Sequence, residues 1–509
     1  MYNKKFYLNQ ELISYILVIV FGLIVFLIIQ DPNESFFINY DQEFWNTYNS
    51  LLIYSGLDQE KYDEPGHVSY LLFAFYLKLI NFLNILEVPT IVQLNEMNNF
   101  NDIIQSLILH TRIFGFVINI ILTLSIIKIF KKFKAENLIF ITLILITSNG
   151  FLTHVSQHRV EPLTILMMII AFFSLLTLLD NDKYKIFKIF LFNFFIILSI
   201  INKVQIIFYL PFFILIILHY KNLNFNLIKN IKFISKNKKD LFYFISSTFF
   251  VIFLISLRSE QLHSSAYLIV MYLLFLISFF CIIDMNNYNN FSYLFNLSLI
   301  FAFFTIYVLV LYFTHGGDKT FWVFFKISKI RGYLGDIKLD QSQDTILWIK
   351  NFLEFGILNF KQLITNIFEF QKNNLVILII ILFTIISRNF KNLWSLNIFI
   401  ALYLITKFIT LFRSNAFYYE IYFDWLILLG LVVFFREHYI KSSLKYLILL
   451  IILTPNIYNN LNTKNFNKIN SGSYDKQIYC SNDQIYSENG IWNYYSKKIN
   501  KKQILILCE

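Results

Sequence analysis

Between Asn39 and Tyr70 the chain reads NYDQEFWNTYNSLLIYSGLDQEKYDEPGHVSY and collects Asp41, Glu43, Asp58, Glu60, Asp63, Glu64 and His67. Apolar runs flank it, and a Pro65-Gly66 turn closes it. A polar island of this kind at a membrane face is where chemistry is expected. Further along, HRVEP (His158 to Pro162) places a base, a cation and a carboxylate at the mouth of an apolar run, with its proline where a first helical turn tolerates one. There Arg159 could pair with an anionic group, and Glu161 could orient an acceptor or hold a metal together with Asp41. Lys203, in INKVQ between two short apolar segments, points at something anionic, phosphate first. Arg413, Tyr418 and Asp424 stand in FRSNAFYYEIYFDW, and Arg258 stands at the outer end of another run. Each residue also has a plain structural reading. Arg159 and Glu161 would make a surface pair, Lys203 would meet lipid headgroups, and Tyr418 would belong to an aromatic belt.

The elements that must position these groups are membrane spans. The chain has 509 residues, 57% hydrophobic and 15% charged, with a mean hydropathy of +0.59. No soluble domain of this size has that composition. The net charge of +11 would suggest nucleic acid in a soluble protein. Here the basic residues fall in short clusters between apolar runs, which is an orientation signal instead, so no nucleic-acid partner is expected. The heavy use of Ile, Phe, Asn, Lys and Tyr suggests A+T-rich codons, which lowers the weight of any single Asn or Lys in a loop. The run from Leu12 to Ile29 lacks a small-residue cleavage pattern and reads as an uncleaved first span.

Five basic clusters, 131–134, 183–188, 221–239, 388–391 and 436–445, are assigned to the cytoplasmic side. Alternation then gives an all-α polytopic protein of about thirteen spans: 12–29, 109–130, 137–152, 161–180, 186–201, 204–220, 241–257, 264–283, 291–313, 374–387, 395–411, 417–435 and 444–454. The outer loop 31–108 carries the polar island. Crossing at 67–86 would put Lys131 on the wrong side, so this stretch is read as an interface helix with Lys78, Asn81 and Asn84 turned away from Phe75, Leu79 and Phe82. The alternative is an ordinary span. A long outer segment, 314–374, contains HGGDK, RGYLGD and a second amphipathic stretch from Ile346 to Phe370. Residues 1–454 form the membrane domain and 455–509 a small non-cytoplasmic tail. Cys480 and Cys508 in that tail could form a disulfide, while Cys281 lies in a span.

In order and setting these features resemble the GT-C class of integral-membrane glycosyltransferases, which includes protein O-mannosyltransferases and the lipid A aminoarabinose transferase. The residues that carry the resemblance are Asp41 in DQEFWNTYNSLLIYSG, the stretch YDEPGHVSYLLFAFYLKL, Arg112 in HTRIFG, Glu161 in SQHRVEP and Lys203 in INKVQIIFYLP. The chain departs from some members in having Asp41-Gln42-Glu43 instead of adjacent Asp-Glu, and Pro65-Gly66 instead of Pro-Pro. It also lacks an Asp-x-Asp pair in the second outer loop, which leaves divalent-metal dependence open.

The resemblance implies a sugar donor on a polyprenyl phosphate, a hydroxyl acceptor on a glycan, lipid or protein, and inverting displacement. The setting is a bacterial plasma membrane with the site on its extracytoplasmic side. It implies Asp41 as general base, with Glu43 and Glu161 as the other candidate carboxylates. Lys203 with Arg258 or Arg413 would stabilise the leaving phosphate, and His67, Arg112, His158, Arg159 and Tyr418 would line the substrate site. Two other readings use the same charges: a transporter or flippase of lipid-linked sugars, and an O-antigen ligase or polymerase.

Overall fold

The computed structural model describes residues 2–29, 43–60, 66–180, 183–203, 291–313, 372–387, 420–437 and 440–460, together with 209, 242, 245, 246, 248, 249, 400, 403, 404, 407, 498–500 and 503. Helix dominates these residues, and no strand occurs among them. The helices are α1 (Tyr2–Ile24, continued by a π-helical turn at Val25–Ile29), α2 (Glu43–Tyr54), α3 (His67–Phe82), α4 (Ile91–Glu96), α5 (Phe100–Lys132), α6 (Leu138–Ile146) and α7 (Asn149–Ser156). After them come α8 (Val160–Asp180), α9 (Lys185–Asn202), α10 (Phe291–Phe313), α11 (Leu375–Ser387), α12 (Glu420–Glu437) and α13 (Ser442–Asn460).

Four helical stretches among the described residues, in α1, α5, α8 and α9, are long and apolar enough to cross a membrane. The pair α6 and α7, bent by 59°, makes a fifth if counted as one span. Outward-facing Leu12, Leu27, Phe75, Phe82 and Phe301 leave large apolar side chains uncovered, as a lipid-facing surface requires. The expected spans at 204–220, 241–257, 264–283 and 395–411, the amphipathic stretch 346–370 and all three cysteines lie wholly or largely outside the described residues.

Ion pairs mark one end of the bundle. Lys131 meets Glu11, Lys132 meets Asp180 at 2.8 Å, and Lys445 meets Glu136 at 2.6 Å. At the other end Glu43 pairs with Arg112 at 2.8 Å, and Lys203 pairs with Glu161. Arg112 and Lys132 are twenty residues apart on α5, about 30 Å of helix, which is the thickness of a hydrocarbon core. Glu161 and Asp180 on α8 repeat nearly the same separation. Contacts at matching depths show that α5, α8, α11 and α12 run from the Glu43 end to the Lys132 end. The π-extended α1, α6 with α7, α9 and α13 run back. These relative directions agree with the alternation read from the basic clusters.

Local details differ from the expectations. Residues 100–108, within the expected loop 31–108, form the first turns of α5. The expected span 137–152 breaks at Thr147-Ser148, where Ser148 caps α7 by accepting from Phe151 N. α13 runs through Pro455 to Asn460. Lys78 lies on the exposed face of α3 with Phe75, Leu79 and Phe82, because positions three and four apart share a face. Asn84 lies beyond the helix in a left-handed conformation. The buried face of α3 is Phe73, Ala74, Leu77 and Ile80.

Together α2, α3, α4 and the start of α5 bury a separate apolar layer, Phe44, Tyr48, Leu51, Phe73, Leu94 and Ile104 among others. Residues of the tail dock on it. Asn95 exchanges hydrogen bonds with the backbone of Lys498 and Asn500, Gln503 Nε2 donates to three carbonyls around α4, and Ile499 joins the apolar layer.

Candidate functional site

Glu43 opens α2, a position that favours an acid beside the free N–H groups of the first turn. Arg112 grips its carboxylate with Nε at 3.0 and 3.2 Å from the two oxygens and Nη2 at 2.8 Å from Oε2. Both side chains are sealed from solvent. A buried, bidentate guanidinium pair fixes geometry as well as charge. One turn on, the hydroxyls of Thr47 and Thr111 meet at 2.7 Å and lock α2 onto α5.

The HRVEP segment follows α7 and enters α8 beside this pair. His158 N donates to Glu43 Oε1 at 3.4 Å, and Asn46 Nδ2 donates to His158 O at 3.4 Å. The His158 ring lies between Phe73 and Phe114, with centroids 5.9 and 5.6 Å away. Gly115 allows this close approach, since a Cβ would lie 3.0 Å from His158 Cα. Burial pushes the imidazole down to about 3, against a smaller upward pull from Glu161. The ring is therefore neutral, and neither nitrogen makes a hydrogen bond among the described residues.

Glu161, in the first turn of α8, accepts a hydrogen bond from Lys203 and lies 3.4 Å from Arg159 Nε and 4.0 Å from His154 Nε2. Lys203 is delivered as the residue that ends α9. The neighbouring Asn202 accepts from both Ser69 N and Ser69 Oγ, and donates to Val160 O and Thr164 Oγ1, so one amide ties α3, α8 and α9 together. His67 opens α3 with Nδ1 donating to Gln59 Oε1 at 2.7 Å, and burial pushes its imidazole down to about 3.

Thus Glu43, Glu161, Arg112, His158, Arg159 and Lys203 gather at one end of the bundle, with His67 close by on α3. Asp41, Arg258, Arg413 and Tyr418 lie outside the described residues. Sequence reasoning missed Asn202 altogether. Its signal is an amide at the end of the apolar run SIIN, directly before Lys203. Lys407 was missed as well. It is buried against Glu420 at 3.0 Å and against Asn374 at 3.4 Å. Beside it, Asp424 accepts from Gly150 N at 3.0 Å and Asn373 Nδ2 at 2.8 Å, and Asn456 reaches Asn373 at 2.6 Å. These bonds hold the start of α7 against α12, with Gly150 needed because a Cβ would meet Asp424 Oδ2 and Ile421 backbone at 2.6 Å.

Among the described residues no three His, Cys, Asp or Glu side chains gather as metal ligands. Glu161 already faces two cations, Lys203 and Arg159. Chemically, the arrangement offers cations and carboxylates in a water-shielded layer where a bilayer-thick bundle ends. No protein-family model, curated protein or solved structure matches the chain.

Proposed function

We propose that the chain is an integral-membrane glycosyltransferase that moves a sugar from a polyprenyl-phosphate donor to a hydroxyl acceptor at the Glu43–Glu161 end of the bundle. The observation that carries this reading is Lys203 and Arg159 held at Glu161, one bilayer thickness from the opposite ion pairs. A lipid phosphate needs fixed cations at that depth. Glu43, gripped by Arg112, has a positioning role, and Asp41 takes the proton. Covalent geometry alone keeps the Asp41 Cα within about 7 Å of that of Glu43.

In the reaction the acceptor oxygen attacks the anomeric carbon as its proton passes to Asp41. The new glycosidic C–O bond forms while the sugar–phosphate C–O bond breaks, and the electron pair leaves with the phosphate. Lys203 and Arg159 stabilise that charge, with Arg258 or Arg413 as further cations and Tyr418 in the substrate site on the sequence argument. The membrane is a bacterial plasma membrane, with the site on its extracytoplasmic side.

Mass spectrometry of envelope glycolipids, glycans and glycoproteins with and without the protein tests this. Loss of one glycoconjugate with build-up of its polyprenyl-linked donor is expected. Purified protein in nanodiscs should then release polyprenyl phosphate in step with transfer. Donor that crosses the bilayer chemically unchanged would establish a transporter instead.

A further inference from the structure

His154 Nδ1 lies 2.8 Å from the carbonyl oxygen of Gly150. A carbonyl only accepts, so Nδ1 carries the ring proton and the neutral ring presents Nε2 as an acceptor. That nitrogen faces Glu161 Oε2 at 4.0 Å. Both atoms are buried, and neither makes a hydrogen bond among the described residues. Arg159 Nε lies 3.4 Å from Oε2 as an ion pair without making a hydrogen bond to it, so the two acceptors keep a desolvation cost that a ligand hydrogen would remove.

Resting on the reading above, we infer that His154 Nε2 and Glu161 Oε2 form a receptor for two neighbouring hydroxyls of a sugar ring, one donating to each atom. The spacing suits that chemistry. A single oxygen about 2.8 Å from both acceptors would have to offer two hydrogens roughly 90° apart, which a lone hydroxyl cannot do. Hydroxyls on adjacent carbons divide the task. An ammonium would also offer two hydrogens, but Lys203 and Arg159 already bring positive charge to Glu161, so a neutral donor is selected. The tautomer is set from a distance. Asp424 anchors Gly150 through its N–H, and the Gly150 carbonyl then orients His154.

The test uses the full chain, labelled with ¹⁵N-histidine, in a detergent without sugar groups. Three probes are added separately: methyl hexopyranosides with vicinal hydroxyls, their dideoxy analogues, and citronellyl phosphate. The expected result is a saturable shift of the His154 Nε2 resonance with the intact hexosides and none with the dideoxy forms. His154→Phe should weaken hexoside binding about tenfold and leave binding of citronellyl phosphate unchanged. His154→Gln, which can return an acceptor to the same place, should recover part of the affinity. An unmoved Nε2 resonance while citronellyl phosphate still binds through Lys203 would overturn this inference and leave the proposed function standing. The same holds if the resonance is already hydrogen-bonded without ligand and indifferent to hexosides, which means a retained water. Failure of the phosphate to bind would count against the proposed function itself.

Discussion

Arg112 holds both carboxylate oxygens of Glu43, and the same carboxylate receives the backbone N–H of His158. One side chain thus ties the first outer helix to α5 and to the entrance of α8. Because both ions are buried, deleting either strands the other, at a cost of roughly 3–5 kcal/mol. Glu43→Gln and Arg112→Met should each lower the thermal midpoint of the detergent-solubilised protein sharply. The double change to Met at both positions should recover much of the loss. A double variant as unstable as the two singles combined would contradict this account.

The two charged ends of the bundle predict accessibility. Lys183 and Asn98 are exposed, Lys183 near the Asp180–Lys132 pair and Asn98 beside the outer layer. In intact cells an impermeant thiol reagent should label Asn98→Cys and spare Lys183→Cys until the membrane is opened. The reverse pattern would invert the orientation of every described span.

The buried histidines predict acid sensitivity. His158 and His67 have folded-state values pushed down to about 3 by burial, below the usual imidazole value of about 6.5. A depressed value means that the unfolded chain binds the proton first. Their contribution is therefore complete above about pH 6.5 and is lost as pH falls from there towards 3. Each accounts for at most about 1.4 kcal/mol per pH unit in that window. His158→Phe should flatten the fall in stability between pH 6.5 and 4 by one proton's share, read as thermal midpoint against pH. An unchanged slope would mean that His158 is not buried as a neutral ring.

Much of this arrangement was legible in the sequence because span direction follows from where Lys and Arg cluster. Lys131, Lys132, Arg436 and Lys445 do gather at one end, and Glu161 and Lys203 at the other. The depth of polar groups was less legible. Hydropathy averages over a window, so an isolated Asn202 or Lys407 inside an apolar run barely changes it, although burial makes such a residue find partners. The break at Thr147-Ser148 was written in TSNG, yet a span-length window read across it. The offset of Lys78 is a matter of angle: a four-residue step advances a helix by about 400°, about 40° past a full turn, so Lys78 lies beside Phe82 and not opposite it.

Lys203 and Glu161 should respond with opposite signs. Glu161 now pairs with Lys203, so Glu161→Gln removes that competing carboxylate and should tighten binding of citronellyl phosphate while slowing transfer. Lys203→Ala should weaken both, because its charge meets phosphate in the ground and transition states. Equilibrium binding and turnover, measured side by side on the two variants, check the pair. Parallel losses of phosphate affinity in both would show that Glu161 merely holds the local fold.

The sharpest division of labour concerns three carboxylates. Glu43 is fixed by Arg112 through both oxygens, and Glu161 is held between Lys203 and Arg159. Both carboxylates are thus already committed to buried cations that hold the site together. Asp41, two residues before Glu43 in the chain, is the proposed base. Asp41→Asn keeps the shape and removes the proton acceptor, so transfer should fall by roughly 10²-fold or more with donor binding and thermal midpoint nearly unchanged. Glu43→Gln should instead lose stability and activity together. If Asp41→Asn turns over normally, the base is Glu161 or Glu43; if activity survives substitution at all three positions, the displacement mechanism proposed here is wrong.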